Sequence, residues 1–145
     1  MTELKLVRNF STDPETVFDF VTSQNNIKKW WGPEGMTIPQ IDMNFAQTGP
    51  WSSVMQNSDG ERFKVTGVVE EVDPPHSVEF TWGWHDDQDN RGHESRVRFE
   101  VKPNGQGGTE FTIIHSGLAD EESAQNHNQG WTSSLRKLEA MAPKL

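Results

Sequence analysis

Among the five histidines of this chain, three fall where local pattern turns them inward. His115 shares a strand face with Phe111 and Ile113, and His127 lies four residues before Trp131 on one helical stripe. His93 falls on the inward parity of its own strand. An imidazole so placed has two uses. It can stand as a hydrogen-bonded post in the core or at its rim, or it can orient the polar group of a mostly apolar ligand and move a proton. Three histidines could also hold zinc, but no His-x-x-x-His spacing is present and the chain has no cysteine. No metal is expected.

The aromatic composition points the same way. There are six Trp and eight Phe but no Tyr. Each buried indole carries an N–H that needs an acceptor, which makes Trp an awkward filler. Either these rings simply build a core, or several of them line a cavity of the mostly apolar kind that binds small molecules.

Other chemistries find no support. The loop from His85 to Gly92 looks briefly like a calcium loop, but counting from Asp87 puts Arg91 and Arg98 at ligand positions five and twelve. A solvated hairpin tip is the better reading. Glu70-Glu71 and Glu121-Glu122 read as surface charge, the second pair suiting a helix N-terminus. No nucleophile elbow, phosphate loop, dinucleotide fingerprint or metalloprotease motif occurs, and no cofactor is implied. An enzyme is conceivable only in the cyclase manner, where a cavity folds a reactive substrate.

At 145 residues the chain is expected to form one domain, 1–145, with a real core. Its 13 basic and 22 acidic residues give a formal net charge of −9, which repels nucleic acid. The N-terminus lacks an apolar signal region and no window approaches a membrane span, so a cytoplasmic protein is expected.

The elements that must position these residues follow from periodicity. Leu4 to Phe10 reads as a strand, and Asp13-Pro14-Glu15 starts a helix presenting Val17, Phe18 and Val21. A second short helix runs from about Gln24 to Trp31 and is ended by Gly32-Pro33. From Met36 the period becomes two. Met36 to Phe45 is a strand interrupted at Pro39, and Trp51, Ser53 and Met55 share a face of the next. Asn57 to Gly60 is a hairpin turn, Gly67 marks a bend, and Asp73-Pro74-Pro75 breaks the meander. Val78, Phe80, Trp82 and Trp84 then alternate, as do Val97, Phe99 and Val101 against Arg96, Arg98 and Glu100. The chain ends in a long helix from Asp120, with Ala124, His127, Trp131, Leu135, Leu138 and Ala142 as its stripe. The first half of that helix is polar almost all round, which suits the lip of a cavity, while the second half is its anchor. Gly130 within it suggests close approach of the helix backbone to sheet or ligand.

Several words of the sequence sit on this order: Pro14-Glu15-Thr16-Val17-Phe18, Trp30-Trp31-Gly32-Pro33, Asp59-Gly60, Gly67 to Pro75, Gly108-Thr109-Glu110, Ile114 to Gly117, and Gly130-Trp131 with Leu135 and Leu138. Together they resemble the START-like superfamily (SRPBCC, or polyketide cyclase/dehydrase), and within it the homologues of the activator of the heat-shock-protein-ninety ATPase. One departure is that this branch commonly has two glycines where Thr48-Gly49-Pro50-Trp51 stands, so Trp51 should reshape that end of a cavity. The resemblance implies an α+β helix-grip fold. A curved antiparallel sheet of six to seven strands wraps around the C-terminal helix, with two short helices after the first strand.

On this reading a cavity between the final helix and the sheet is lined by Trp51, Met55, Phe80, Trp82, Phe99, Ile113 and Trp131, with His115 and His127 at its polar end. The expected function is binding a small, largely apolar lipid- or aromatic-like molecule, by a monomer or homodimer. The alternatives are an interaction module that regulates a heat-shock chaperone ATPase in the stress response, and a cyclase- or hydrolase-like enzyme using the same cavity. Neither nucleic acid nor membrane is an expected partner.

Overall fold

The computed structural model describes residues 2–141. The chain runs β1 (Thr2–Phe10), α1 (Pro14–Thr22), α2 (Gln24–Ile27), β2 (Thr37–Asp42), β3 (Gly49–Gln56), β4 (Arg62–Asp73), β5 (Ser77–His85), β6 (Arg91–Pro103), β7 (Thr109–Leu118) and α3 (Glu121–Met141). All seven strands form one antiparallel sheet in the order β1-β7-β6-β5-β4-β3-β2. Strands β2 to β7 are thus a continuous meander, and β1 adds itself beside β7. The sheet curves around α3, which is the helix-grip arrangement.

Local chemistry sets the ends of the elements. Asp13 caps α1 by accepting from the Thr16 backbone N–H and hydroxyl, and Pro14 supplies a preset first residue. The second helix is shorter than its sequence suggests, ending at Ile27 rather than Trp31. Beyond it the chain tightens through turns, with Trp30 N–H bonding Ile27 O at 3.2 Å. The reason is that Trp30 and Trp31 are both buried, at 0% and 1% exposure. Neighbours on an α-helix point about 100° apart, so a one-faced helix could not sink both rings. Strand β2 is likewise shorter than expected. It lies at the sheet edge and slips register between Thr37 and Gln40, around Pro39. It ends at Asp42, because Met43 and Phe45 then leave the edge and enter the core.

The two faces of the central strands separate as their alternation demands. Val97, Phe99 and Val101 are buried, with Val97 opposite Phe80 and His115, and Phe99 opposite Ile113. On the outer face Arg96 pairs with Glu70 and Arg98 with Glu100. At Gly67 a side chain is excluded rather than merely unnecessary. The Trp51 indole crosses over this residue to donate to the Thr81 carbonyl at 3.1 Å, and a Cβ at Gly67 would strike that carbonyl. The bend expected there follows, since β4 slips against β5 just beyond, between Val69 and Glu71.

Asp120 caps α3 by accepting from Ser123 N–H at 2.8 Å. The second half of the helix is pinned by Leu135 and Leu138 in the core, and Ala142 of its stripe lies outside the described residues. Polar contacts add to the grip. Ser133 Oγ accepts from Glu34 N–H, Arg136 pairs with the Glu34 carboxylate, and Lys137 donates to Trp31 O at 2.9 Å. Burial in turn pushes the Lys137 ammonium below its ordinary pKa. Leu135→Ala or Leu138→Ala should each cost about 2–5 kcal/mol in denaturant unfolding, because the void has no way to collapse. Gln125→Ala and Gln129→Ala, on exposed turns of the same helix, should stay within about 0.5 kcal/mol.

Candidate ligand-binding site

A cavity of about 670 Å³ opens between the first half of α3, the segment from Trp31 to Met36, and the inner face of β3 to β5. Its walls are Trp31, Pro33, Met36, Met55, Phe63, Trp82, Trp84 and Trp131. Asp120, Glu122, Ser123, Asn126 and His127 line it from the helix side. Gly130 keeps this space open. A side chain added there would meet only Pro33 Cγ, at 3.9 Å, so the glycine serves the hollow and brings no part of the sheet close.

Of the residues placed in a cavity by sequence, Met55, Trp82, His127 and Trp131 are on its wall. Trp51, Phe80, Phe99, Ile113 and His115 lie instead in the packed core beside it. There Phe45 sits on Phe80 at a ring separation of 4.2 Å, and Phe99 touches Phe80, Trp30 and Phe111 at 5.2, 5.9 and 5.4 Å. Strand parity puts all of these residues on the inner face, but it does not say that Trp30 and Phe45, arriving from the loops, fill half of that face. Trp51 also borders a smaller hollow of about 450 Å³, where Arg91 is tied to Thr66 and Glu94. Trp31, Pro33, Met36, Phe63 and Trp84 escaped the sequence reading. Phe63 was open to inference, since a hairpin turning at Asn57–Gly60 sets it opposite Met55.

The indoles explain the histidines. Trp131 donates to His115 Nδ1 at 3.1 Å. An indole N–H can only donate, so Nδ1 is unprotonated, and His115 Nε2–H is left to donate to Ser95 Oγ at 2.7 Å. His127 adopts the other tautomer. Its Nε2 accepts from Trp84 at 2.9 Å, and its Nδ1–H donates to Ser123 O at 2.7 Å. Both ring nitrogens of each histidine are therefore engaged, with the rings 4.6 Å apart. Burial pushes His115 down to about 3, with His127 beside it adding to the effect, and burial also lowers His127. Trp31 and Trp51 find Ser53 Oγ and Thr81 O, while the enclosed N–H groups of Trp30 and Trp82 have no acceptor among the described residues. Each of those two costs about 1–3 kcal/mol.

His93 does not join the other two. It is exposed and donates to Gly117 O, because the inward parity of β6 carries it past the end of the ring core. The loop after β5 forms a hydrogen-bonded turn, in which Asp86 accepts from the Gln88 and Asn90 N–H groups. Those bonds hold its carboxyl below the usual range. Among the described residues no three His, Asp or Glu side chains converge on a possible metal position, and no helix is long and apolar enough to cross a membrane.

A curved sheet gripping a C-terminal helix, with a cavity between them, defines the START-like class of domain. Residues 11–142 match the family described as activator of Hsp90 ATPase homolog 1-like protein, and the chain belongs to that family. The crystal structure of the AHSA1 protein from Silicibacter pomeroyi is 49% identical over 96% of both chains, with a TM-score of 0.91. Structures of proteins from Chromobacterium violaceum and Mycobacterium smegmatis share the fold at 21% and 22% identity. The first covers 98% of both chains with a TM-score of 0.82, the second 96% of this chain and 89% of its own at 0.79. No curated protein matches.

The lowered histidines make stability depend on pH. Below about pH 6.5 the unfolded chain protonates His115, while the folded chain keeps it neutral down to about pH 3. Stability is thus complete above the unfolded pKa and falls as the pH drops through that window. Between pH 7 and 5.5 His115 should account for a loss of about 1 kcal/mol, and His127 acts in the same direction. Urea unfolding at the two pH values should show this loss. His115→Gln, though less stable at pH 7, should show a flatter dependence.

Proposed function

We propose that this protein binds one small, mostly apolar molecule in the cavity between α3 and the sheet. The observation that carries the reading is the cavity itself. Its volume of about 670 Å³ is within the range of small-molecule sites, and Trp31, Trp82, Trp84 and Trp131 form much of its wall. A site for a flat aromatic or lipid-like body has this composition, and large rings offer apolar area with little entropy to lose. The histidines favour binding over proton transfer, because His115 and His127 are neutral and have no free ring nitrogen. A second reading, interaction with a heat-shock chaperone ATPase in the cytoplasm, is supported by family membership. Retention of the purified chaperone on immobilised protein tests it independently of any ligand.

Neutral flavonoid-like aromatics and lipids should quench tryptophan fluorescence and raise the melting temperature. At a hundredfold excess over Kd, binding adds about 2.7 kcal/mol of stability. Gly130 offers a clean control, since a side chain there enters the hollow. Gly130→Ala should stabilise the free protein by about 0.5–1 kcal/mol through helix propensity. Gly130→Leu should remain folded yet lose at least about tenfold in affinity. A broad panel giving neither quenching nor thermal shift would overturn the binding function.

A further inference from the structure

The polar groups around the cavity select the charge of its occupant. Among the described residues Asp120 and Glu122 are the only charged side chains on its lining, with no Lys or Arg beside them. The two cations of α3 are already committed, Arg136 to Glu34 and Lys137 to Trp31 O. Both imidazoles beside the cavity are neutral, with their donors and acceptors spent. What remains at the mouth mostly accepts. Glu122 makes no hydrogen bond or ion pair among the described residues, and Asp120 uses one oxygen to cap Ser123. The Asn126 amide likewise has no side-chain partner. Partial positive charge at the helix N-terminus, about half a unit, is outweighed by Asp120, Glu121 and Glu122.

Deeper in, the wall is indole. Trp84 is half-buried, meets Trp82 edge to face at a ring separation of 5.5 Å, and donates its N–H to His127. Indole faces attract organic cations and have no such attraction for carboxylates. Walls and mouth therefore agree on the sign of charge. Resting on the ligand-binding reading, we propose that the cavity takes an organic cation with an apolar body, such as an aromatic or alkyl amine. Its ammonium sits at the Asp120–Glu122 mouth and its body among the indoles. Neutral analogues bind more weakly, and carboxylates, fatty acids included, are rejected because no cation among the described residues lines the cavity to meet them and two carboxylates oppose them.

Three probes on one skeleton test this by calorimetry at pH 7 and low salt: 2-(1-naphthyl)ethylamine, 2-(1-naphthyl)ethanol and 1-naphthylacetate. The amine should bind at least about tenfold tighter than the acid, with the alcohol between, and 1 M salt should compress the difference. Asp120→Asn with Glu122→Gln, which keeps a capping residue at 120, should narrow it to within about threefold. Glu15→Gln with Glu71→Gln removes the same charge from exposed positions, one at the start of α1 and one eight residues along β4 from Phe63, and should leave the order unchanged. Equal affinities, or a preference for the acid, overturn the charge selection while leaving the binding function standing. An amine preference that survives the first double variant and not the second assigns it to the net charge of −9 and removes it from the mouth. Failure of all three to bind the wild type overturns the charge selection, and the binding function falls with it only when the broad neutral panel also gives neither quenching nor thermal shift.

Discussion

The buried chain of hydrogen bonds from Trp131 through His115 to Ser95 ties the helix to the sheet. It links α3, β7 and β6 through three buried side chains, Trp131, His115 and Ser95. Such a chain has one satisfactory arrangement. The indole must donate, so the imidazole must accept at Nδ1 and donate at Nε2, and the hydroxyl must accept. Removing any member strands a buried polar group at a cost of about 1–3 kcal/mol. Apolar contact at Leu135 and Leu138 is larger in energy but tolerant of sliding; the chain through His115 sets where along the sheet the helix rests.

Given that anchor, the inner face divides in two. On one side Trp30, Phe45, Phe80, Phe99 and Phe111 interlock, tilted at Phe45–Phe80 and Trp30–Phe99 and edge to face elsewhere, and form packed core. On the other, the first half of α3 carries Ser123, Asn126, His127 and Gly130 toward the sheet, and these side chains are too small or too polar to fill the gap. The segment from Trp31 to Met36 closes the hollow at one end and is held to the helix through Glu34, Ser133 and Arg136. One rigid half and one hollow half thus share a single helix. A binding function fits this division, since the core can hold its shape whether or not the hollow is occupied.

His127 belongs to the hollow half but is as constrained as His115. Its two bonds, to Trp84 and to the Ser123 carbonyl, fix an orientation that leaves the ring as a wall. Two neighbouring histidines of opposite tautomer, each dictated by an indole donor, make a neutral polar seam inside an acidic protein. That neutrality is what leaves Asp120 and Glu122 to decide the electrostatics of the mouth.

Much of this was legible in the sequence. Alternation in Val97, Phe99 and Val101, the cap at Asp13, the edge position of β2 near Pro39 and the polar-then-apolar helix all follow from local rules that hold residue by residue. Alternation assigns a face and nothing more, so it could not separate Phe80 and Phe99, which are core, from Trp82, which is wall. That distinction depended on Trp30 and Phe45, whose inward turns come from a tightened helix end and an edge strand that stops early. The pairing of each histidine with an indole also belongs to tertiary structure: Trp84 and His127 lie 43 residues apart and only the docking of α3 brings them to 2.9 Å. Composition announced the need, since six indole N–H groups require acceptors. Only the fold decided which found one, because a hydrogen bond is short and directional while a pattern of apolar residues is neither.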